Sequence, residues 1–573
     1  MKAFKLERTY VPVDFSDFSW SGIEPFYKEL SARAVSSASE LKQLLLDRSE
    51  LESVLEEEQG WRYIRMTCDT ENKDKAEAFN VFVRDIMPMI APFGNALDQK
   101  IFDSPFKSEL LNWNGFAVFI RGIEKDIQIF REENIPLVAA LEEEAQEFGV
   151  ISGGMTIQFE GKELTMPQAS EYLLKNNRSQ REEVYRLIQE RRLQDADKLD
   201  GLYQRLIEKR QQVAQNAGFL NYRDYMFVAM GRFDYTPEDC FSFHASVAQE
   251  VMPLVTKLTA ERMQLLGLEE LRPWDLSVNC FGNEPLKPFD GGEDLLRKGI
   301  SCLAKVNPAI GACLEEMNAA GRLDLVSRKG KSPGGYNYPL DESNMPFIFM
   351  NASSSLRDVV TLVHEAGHAY HSFLSGPLEL QSFKHTPSEV AELASMSMEL
   401  MSMEYWDVFF ENPNDLKRAK REHLEGILST FTWVSTIDSF QHKVYEQPAL
   451  DAEARKDLWL SCLHPFSSGH VNWQGLEAYK KHSWQKQLHL FEVPFYYIEY
   501  AFAQLGAVAV WKNYKQSPAK AFESYTSALS LGFTKPIGSI YQEAGISFSF
   551  SKEYIRELVQ FLEEEIRLNT PTL

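Results

Sequence analysis

His364-Glu365-Ala366-Gly367-His368 sets two imidazoles four residues apart with a carboxylate beside the first. On a helix, positions i and i+4 stand one above the other, so two ring nitrogens can meet a single ion. Zinc takes such nitrogens at about 2.0–2.1 Å. Glu365 would project next to them, where it can take a proton from a water at that ion. With 11 His in 573 residues, chance matches to HExxH should number roughly 0.02 in a chain of this composition, so coincidence is a poor account. Gly367 weakens a helix by about 1 kcal/mol relative to Ala. Its place between the two histidines suits the close approach of another backbone.

A catalytic zinc normally takes three protein ligands and keeps one position open. The HExxHxxGxxH pattern is excluded, because His371 and Leu374 stand where it needs Gly and His. The third ligand should then be a carboxylate on a later helix, and 388–403 supplies it. From Val390 to Met403 the only charged residues are Glu392 and Glu399, two turns apart on one face. A solvated acidic face would have polar neighbours, and this one has Met396, Met398 and Met401. A buried carboxylate without a partner is very costly, which favours Glu392 as ligand and Glu399 as acceptor for the N–H of a ligand histidine. Glu389, one turn earlier and nearer the helix N-terminus, is the competing ligand.

These side chains need helices to carry them. Ser355 and Asp358 mark a helix start, with Leu356, Val359, Val360, Val363, Gly367 and Tyr370 as its buried stripe and Gly376-Pro377 as its end. Upstream, 25–58 reads as an amphipathic helical hairpin and 180–217 repeats the pattern over a longer stretch. Residues 155–166 read as a β-hairpin turning at Glu160-Gly161. Pro167 then begins a helix, which sets a boundary between an N-terminal helical region, 1–166, and a catalytic region, 167–573. A second β-rich island lies around 325–351, with strands at 336–338 and 346–350. The stretch 346–351 is expected to be an exposed edge to which a peptide could add. Pro494 suits a helix start that would put Tyr497 and Tyr500 on one face. The expected fold is mainly α, with a small β-sheet beside the active-site helix.

Composition narrows the partners. Sixty Lys and Arg against 83 Asp and Glu give a formal charge of −23. That disfavours nucleic acid, which is bound through clustered basic residues, and anionic membrane surfaces. No uncharged apolar run reaches the ~18 residues a membrane span needs, and residues 1–8 lack the apolar core of a secretory signal. Six cysteines without CxxC spacing suggest neither a disulfide framework nor a thiolate zinc site. The chain reads as soluble and cytoplasmic; its oligomeric state is not legible.

The run from His364 to His371, Glu392 twenty-four residues after His368, and Glu399 seven further on resemble the thimet-oligopeptidase family of zinc peptidases. Segments 488–500, and 331–338 followed by 346–353, resemble its oligoendopeptidase F and Pz-peptidase branch. The likeness runs from about 180 to the C-terminus. It implies an elongated, two-lobed helical ellipsoid enclosing a deep substrate channel with one Zn2+ on its floor. His364, His368 and Glu392 would be the ligands, and Glu365 the general base and proton shuttle. His489 and Tyr500, with Tyr497 next, would face the developing oxyanion. Unlike animal members of the family, residues 491–494 contain no glycine. The expected activity is zinc-dependent endopeptidase cleavage of short unfolded oligopeptides. Its rivals are a zinc metallocarboxypeptidase of a related helical family and a non-catalytic, zinc-stabilised peptide-binding protein. The other histidines read as structural or surface, with His371 open.

Overall fold

The structure is a computed structural model that describes residues 6–281 and 284–572. Helices follow from caps and apolar stripes along most of the chain, and 70% of it is helical, as the sequence leads one to expect. The N-terminal hairpin consists of Trp20–Ala32 and Ala38–Cys68. Ser37 caps the second helix by accepting from the Glu40 N–H at 3.2 Å, and satisfying that orphan donor helps fix the start. Ile23, Leu30, Leu41, Leu44 and Phe82 form one apolar cluster with Leu380 and Phe383, so this region closes over residues that follow the HExxH helix.

Strands β1 (Thr156–Phe159) and β2 (Lys162–Thr165) form the expected hairpin. Its turn puts both Glu160 and Gly161 at positive φ, 50° and 75°, the geometry whose twist matches paired strands. The next helix begins at Met166, where Thr165 and Gln168 close a capping box. The long helical stretch divides into Arg178–Leu193 and Ala196–Asn216.

The second sheet corrects an expectation. It contains β3 (Leu323–Val326), β4 (Tyr336–Tyr338) and β5 (Phe347–Ala352) in the order β3-β5-β4. β5 pairs parallel with β3 and antiparallel with β4, so it is the central strand and offers no free edge for a peptide. The physical sign is in its own sequence: Phe347, Ile348, Phe349 and Met350 are buried in succession, as a strand covered on both faces would be.

By compactness the chain forms two units, each built from three stretches. The first holds Met1–Gln128, Lys287–Pro413 and Gly506–Phe548; the second holds Ile129–Leu286, Asn414–Leu505 and Ser549–Leu573. The linear boundary at 166/167 is a division of another kind. Among the described residues no helix is long and apolar enough to cross a membrane.

Candidate active site

The helix Leu356–Ser375 starts where the sequence places it. Ser355 accepts from the Asp358 N–H at 3.3 Å, and the Asp358 carboxylate takes the Ser355 and Ser353 N–H groups at 2.8 Å each. A second helix, Ser388–Met403, packs against it within the first unit and is buried nearly throughout. The crossing is made at Gly367. A Cβ there would stand 2.6 Å from Ser395 Cα, 2.9 Å from the Ala394 oxygen and 3.0 Å from Met398 Cβ. Two tyrosine hydroxyls brace the second helix from outside, Tyr541 donating to the Glu389 oxygen at 2.9 Å and Tyr525 to the Ala394 oxygen at 2.7 Å.

Gly367→Ala should therefore push the helices apart. Forcing one methyl into a packed contact costs typically ~1–3 kcal/mol, and here the displacement also separates residues on the two helices. The variant should melt earlier and lose metal on dialysis against a mild chelator. Wild-type melting together with full metal content would show that the crossing has slack.

Three donors converge where the helices meet. The ring nitrogens of His364 and His368 and a Glu392 carboxylate oxygen all lie within 4.8 Å of one another. Glu392 Oε2 is 3.4 Å from His364 Nε2 and 3.8 Å from His368 Nε2. Ligand atoms about 2.0–2.1 Å from a tetrahedral zinc stand about 3.3–3.4 Å apart, so the set fits such an ion with small adjustments. Glu399 completes it from outside: His364 Nδ1–H donates to Glu399 Oε1 at 2.6 Å. A carboxylate there accepts from Nδ1–H, so Nε2 is the nitrogen that can give up its proton and turn a lone pair to a metal ion. Ser395 Oγ donates to Glu392 Oε2 at 3.1 Å and steadies the carboxylate.

The electrostatics favour a cation there. Burial works against charge on His364, but the Glu399 hydrogen bond and the nearby Glu392 outweigh it and lift its pKa to about 10. Burial raises the Glu392 carboxyl and keeps His368 neutral, far below the usual histidine range. Glu365 is 6% exposed. Burial, helped by Glu392 and Glu399 and opposed by His364, pushes its carboxyl up to about 7, where it can take up and release a proton near neutrality. Asn337 of the edge strand β4 donates to the Glu365 backbone oxygen at 3.3 Å, tying the sheet to this turn. Sequence reasoning does not single out Ser395 or Asn337. Ser395 could be found from its i+3 spacing to Glu392, whereas Asn337 carries no local signal.

Glu389, the competing ligand, is not set apart by exposure, since at 2% it is as buried as the rest of its helix. What separates it from Glu392 is geometry, since Glu392 is the carboxylate grouped with the two histidines. His371 is also buried, with Nε2 lacking a hydrogen-bond partner, and burial lowers its pKa to about 4. It is a neutral core histidine.

His489, Tyr497 and Tyr500 belong to the second unit and gather there. The His489 ring centroid is 4.6 Å from that of Tyr497 and 6.0 Å from that of Tyr500. The helix carrying the tyrosines begins at Tyr497, not at Pro494, because Phe495 takes a positive φ of 71° and breaks the run. A bulky residue in that region is strained and is held from both sides. Its N–H donates to Gln441 Oε1 at 2.7 Å, and its oxygen accepts from Arg232, which also pairs with Glu499 at 2.9 Å.

A model of peptidase family M3 matches residues 172–560, and one of the peptidase M3 N-terminal domain matches 12–130. Oligopeptidase PepF of Bacillus subtilis is 23% identical over 333 residues, 58% of this chain and 49% of that protein. An oligoendopeptidase F homolog of Borreliella burgdorferi is 26% identical over 226 residues, 38% of this chain and 37% of that protein. The chain thus spans about half or less of the length of these curated relatives. Among solved structures, Pz peptidase A with an inhibitor superposes with a TM-score of 0.90 at 23% identity, covering 98% of this chain and 99% of that one. That likeness establishes the fold.

Proposed function

The chain belongs to peptidase family M3, and from that premise we propose that it is a zinc metalloendopeptidase cutting internal bonds of short, unfolded oligopeptides. The observation that carries the reading is the convergence of His364, His368 and Glu392, with Glu399 fixing one histidine's tautomer and Glu365 buried beside them. In this reading the three convergent residues hold one zinc ion. When bound, the ion supplies positive charge that polarises the scissile carbonyl and makes a nearby water more acidic. Glu365 accepts the proton of that water as its oxygen attacks the carbonyl carbon. It then passes the proton to the leaving nitrogen as the C–N bond breaks. Tyr500 and His489, with Tyr497 as the alternative, are proposed donors to the oxyanion, a role that rests on the family resemblance.

Two further parts belong to the same proposal. Residues 1–166 are an N-terminal helical region and 167–573 the catalytic region, a division supported by the separate family matches at 12–130 and 172–560. A cytoplasmic location is supported by six cysteines of which none forms a disulfide, as a reducing compartment keeps them.

A mixed library of oligopeptides with free and amidated C-termini tests the activity, with products read by mass spectrometry. Both sets should be cut internally, a chelator should stop cleavage, and zinc should restore it. A folded globular protein should survive the same incubation. Cleavage that requires a free C-terminus would mean a carboxypeptidase. Binding without turnover by the zinc-loaded chain would mean a peptide-binding protein.

A further inference from the structure

Trp433, Gln487 and His489 form a chain of hydrogen bonds with one self-consistent assignment of donors and acceptors. Trp433 lies on the helix Pro413–Glu446, and Gln487 directly precedes the short helix Leu488–Glu492 that carries His489. All three belong to the second unit. Trp433 Nε1 is 2.8 Å from Gln487 Oε1. An indole N–H can only donate, so the amide atom facing it is the carbonyl oxygen. The amide nitrogen then faces the other way, 2.7 Å from His489 Nδ1. That NH2 group offers donors only, so Nδ1 must present its lone pair, and a neutral imidazole has its single proton left for Nε2. We infer that Trp433 and Gln487 are positioning residues that lock His489 in the Nε2–H tautomer, making it a hydrogen-bond donor to an anionic oxygen and unfit to act there as a base.

The contrast with His364 shows how one side chain is set to opposite tasks. There a carboxylate accepts from Nδ1–H and leaves Nε2 as the nitrogen for a metal ion; here an amide NH2 donates to Nδ1 and leaves the proton on Nε2. Protonating His489 would set an Nδ1–H against the amide N–H, and burial already lowers its pKa to about 4. The titratable groups packed against the ring are the phenols of Tyr496, stacked on it, Tyr497, tilted, and Tyr500, edge-on; a phenol ordinarily titrates at about 10. The anchor is itself fixed, because Trp433 packs edge-on against Trp459 at 5.6 Å and lies under the Lys486 ammonium at 4.6 Å. Naming the anionic oxygen as that of the tetrahedral species rests on the peptidase reading; the tautomer does not.

Gln487→Glu tests the lock. Glu keeps an acceptor for Trp433 and replaces the donor facing His489 with an acceptor, so Nδ1 should take the proton. Ring-15N-histidine labelling, with the His489 signals assigned by their loss in His489→Asn and the pH held high enough to keep the ring neutral in both proteins, should show Nε2 protonated in the wild type and Nδ1 protonated in Gln487→Glu. Trp433→Phe keeps the ring packing but removes the N–H that orients the amide, and should give mixed tautomers. Bare Nε2 in the wild type, or an unmoved proton in Gln487→Glu, overturns the inference. With peptide substrate at a pH where the spectra show the ring neutral, Gln487→Glu should lower kcat by about 10²–10³ and leave KM within a few-fold, as loss of an oxyanion donor does. An unchanged kcat beside a moved proton overturns the donor role. The spectra read out even if the chain cleaves no peptide, so failure of the lock and failure of the peptidase reading are told apart.

Discussion

Glu365→Gln should keep its zinc and its peptide affinity while kcat falls by at least the ~10²–10⁴ that general-base catalysis supplies. The substitution changes one oxygen for an NH2 group on a side chain that is 6% exposed, so packing is nearly preserved. What disappears is the ability to accept a proton, and with it both halves of the proposed transfer, from water to carboxylate and from carboxylate to the leaving nitrogen. Glu365 is not the carboxylate grouped with His364 and His368, so metal content by elemental analysis should match the wild type. A metal-free variant would make Glu365 a ligand. An active one would place the base elsewhere, and the raised pKa of Glu365 would then reflect burial alone.

The chemistry of the first unit is legible in the sequence because it is local. The Ser355 cap, the i,i+4 histidines and the apolar run that buries Glu392 and Glu399 each show within one or two helical turns, and the helix Ser388–Met403 forms over the span the sequence marks. Gly367 is legible in kind but not in partner. A glycine between ligands signals close approach, yet only the fold shows that Ser395 and Met398 are what approach it. Non-local pairing escapes. Leu323–Val326 is too short to announce itself as a strand, and its parallel pairing is what turns Phe347–Ala352 from an edge into the centre of the sheet. Pro494 permits a helix start, but fixed φ at one residue says nothing about the next. Phe495 turns left-handed because Gln441 and Arg232, each far away in the chain, hold its backbone. The Trp433–Gln487 contact spans 54 positions and leaves no periodic trace.

Glu392→Ala should yield a protein that loses zinc at moderate chelator concentration and has no peptidase activity, whereas Glu389→Ala should hold its metal. Burial cannot decide between the two, since both carboxylates are buried in the same helix. Distance does: Glu392 Oε2 stands 3.4 and 3.8 Å from the two ring nitrogens, close to the edges of a tetrahedral site. Removing it leaves two imidazoles, one fewer than the three protein ligands a catalytic zinc normally takes. Glu399→Ala should behave differently again. It leaves all three donors in place but frees the tautomer of His364, so metal affinity or activity should fall by ~10–100-fold without being abolished. The ordering is the test: metal held by Glu389→Ala, weakened in Glu399→Ala and lost in Glu392→Ala. If the Glu389 variant is the one that arrives metal-free while Glu392→Ala retains zinc, the ion is held one turn nearer the helix start. The 3.4 Å approach of Glu392 to His364 would then be an ion pair that forms only while the site holds no metal.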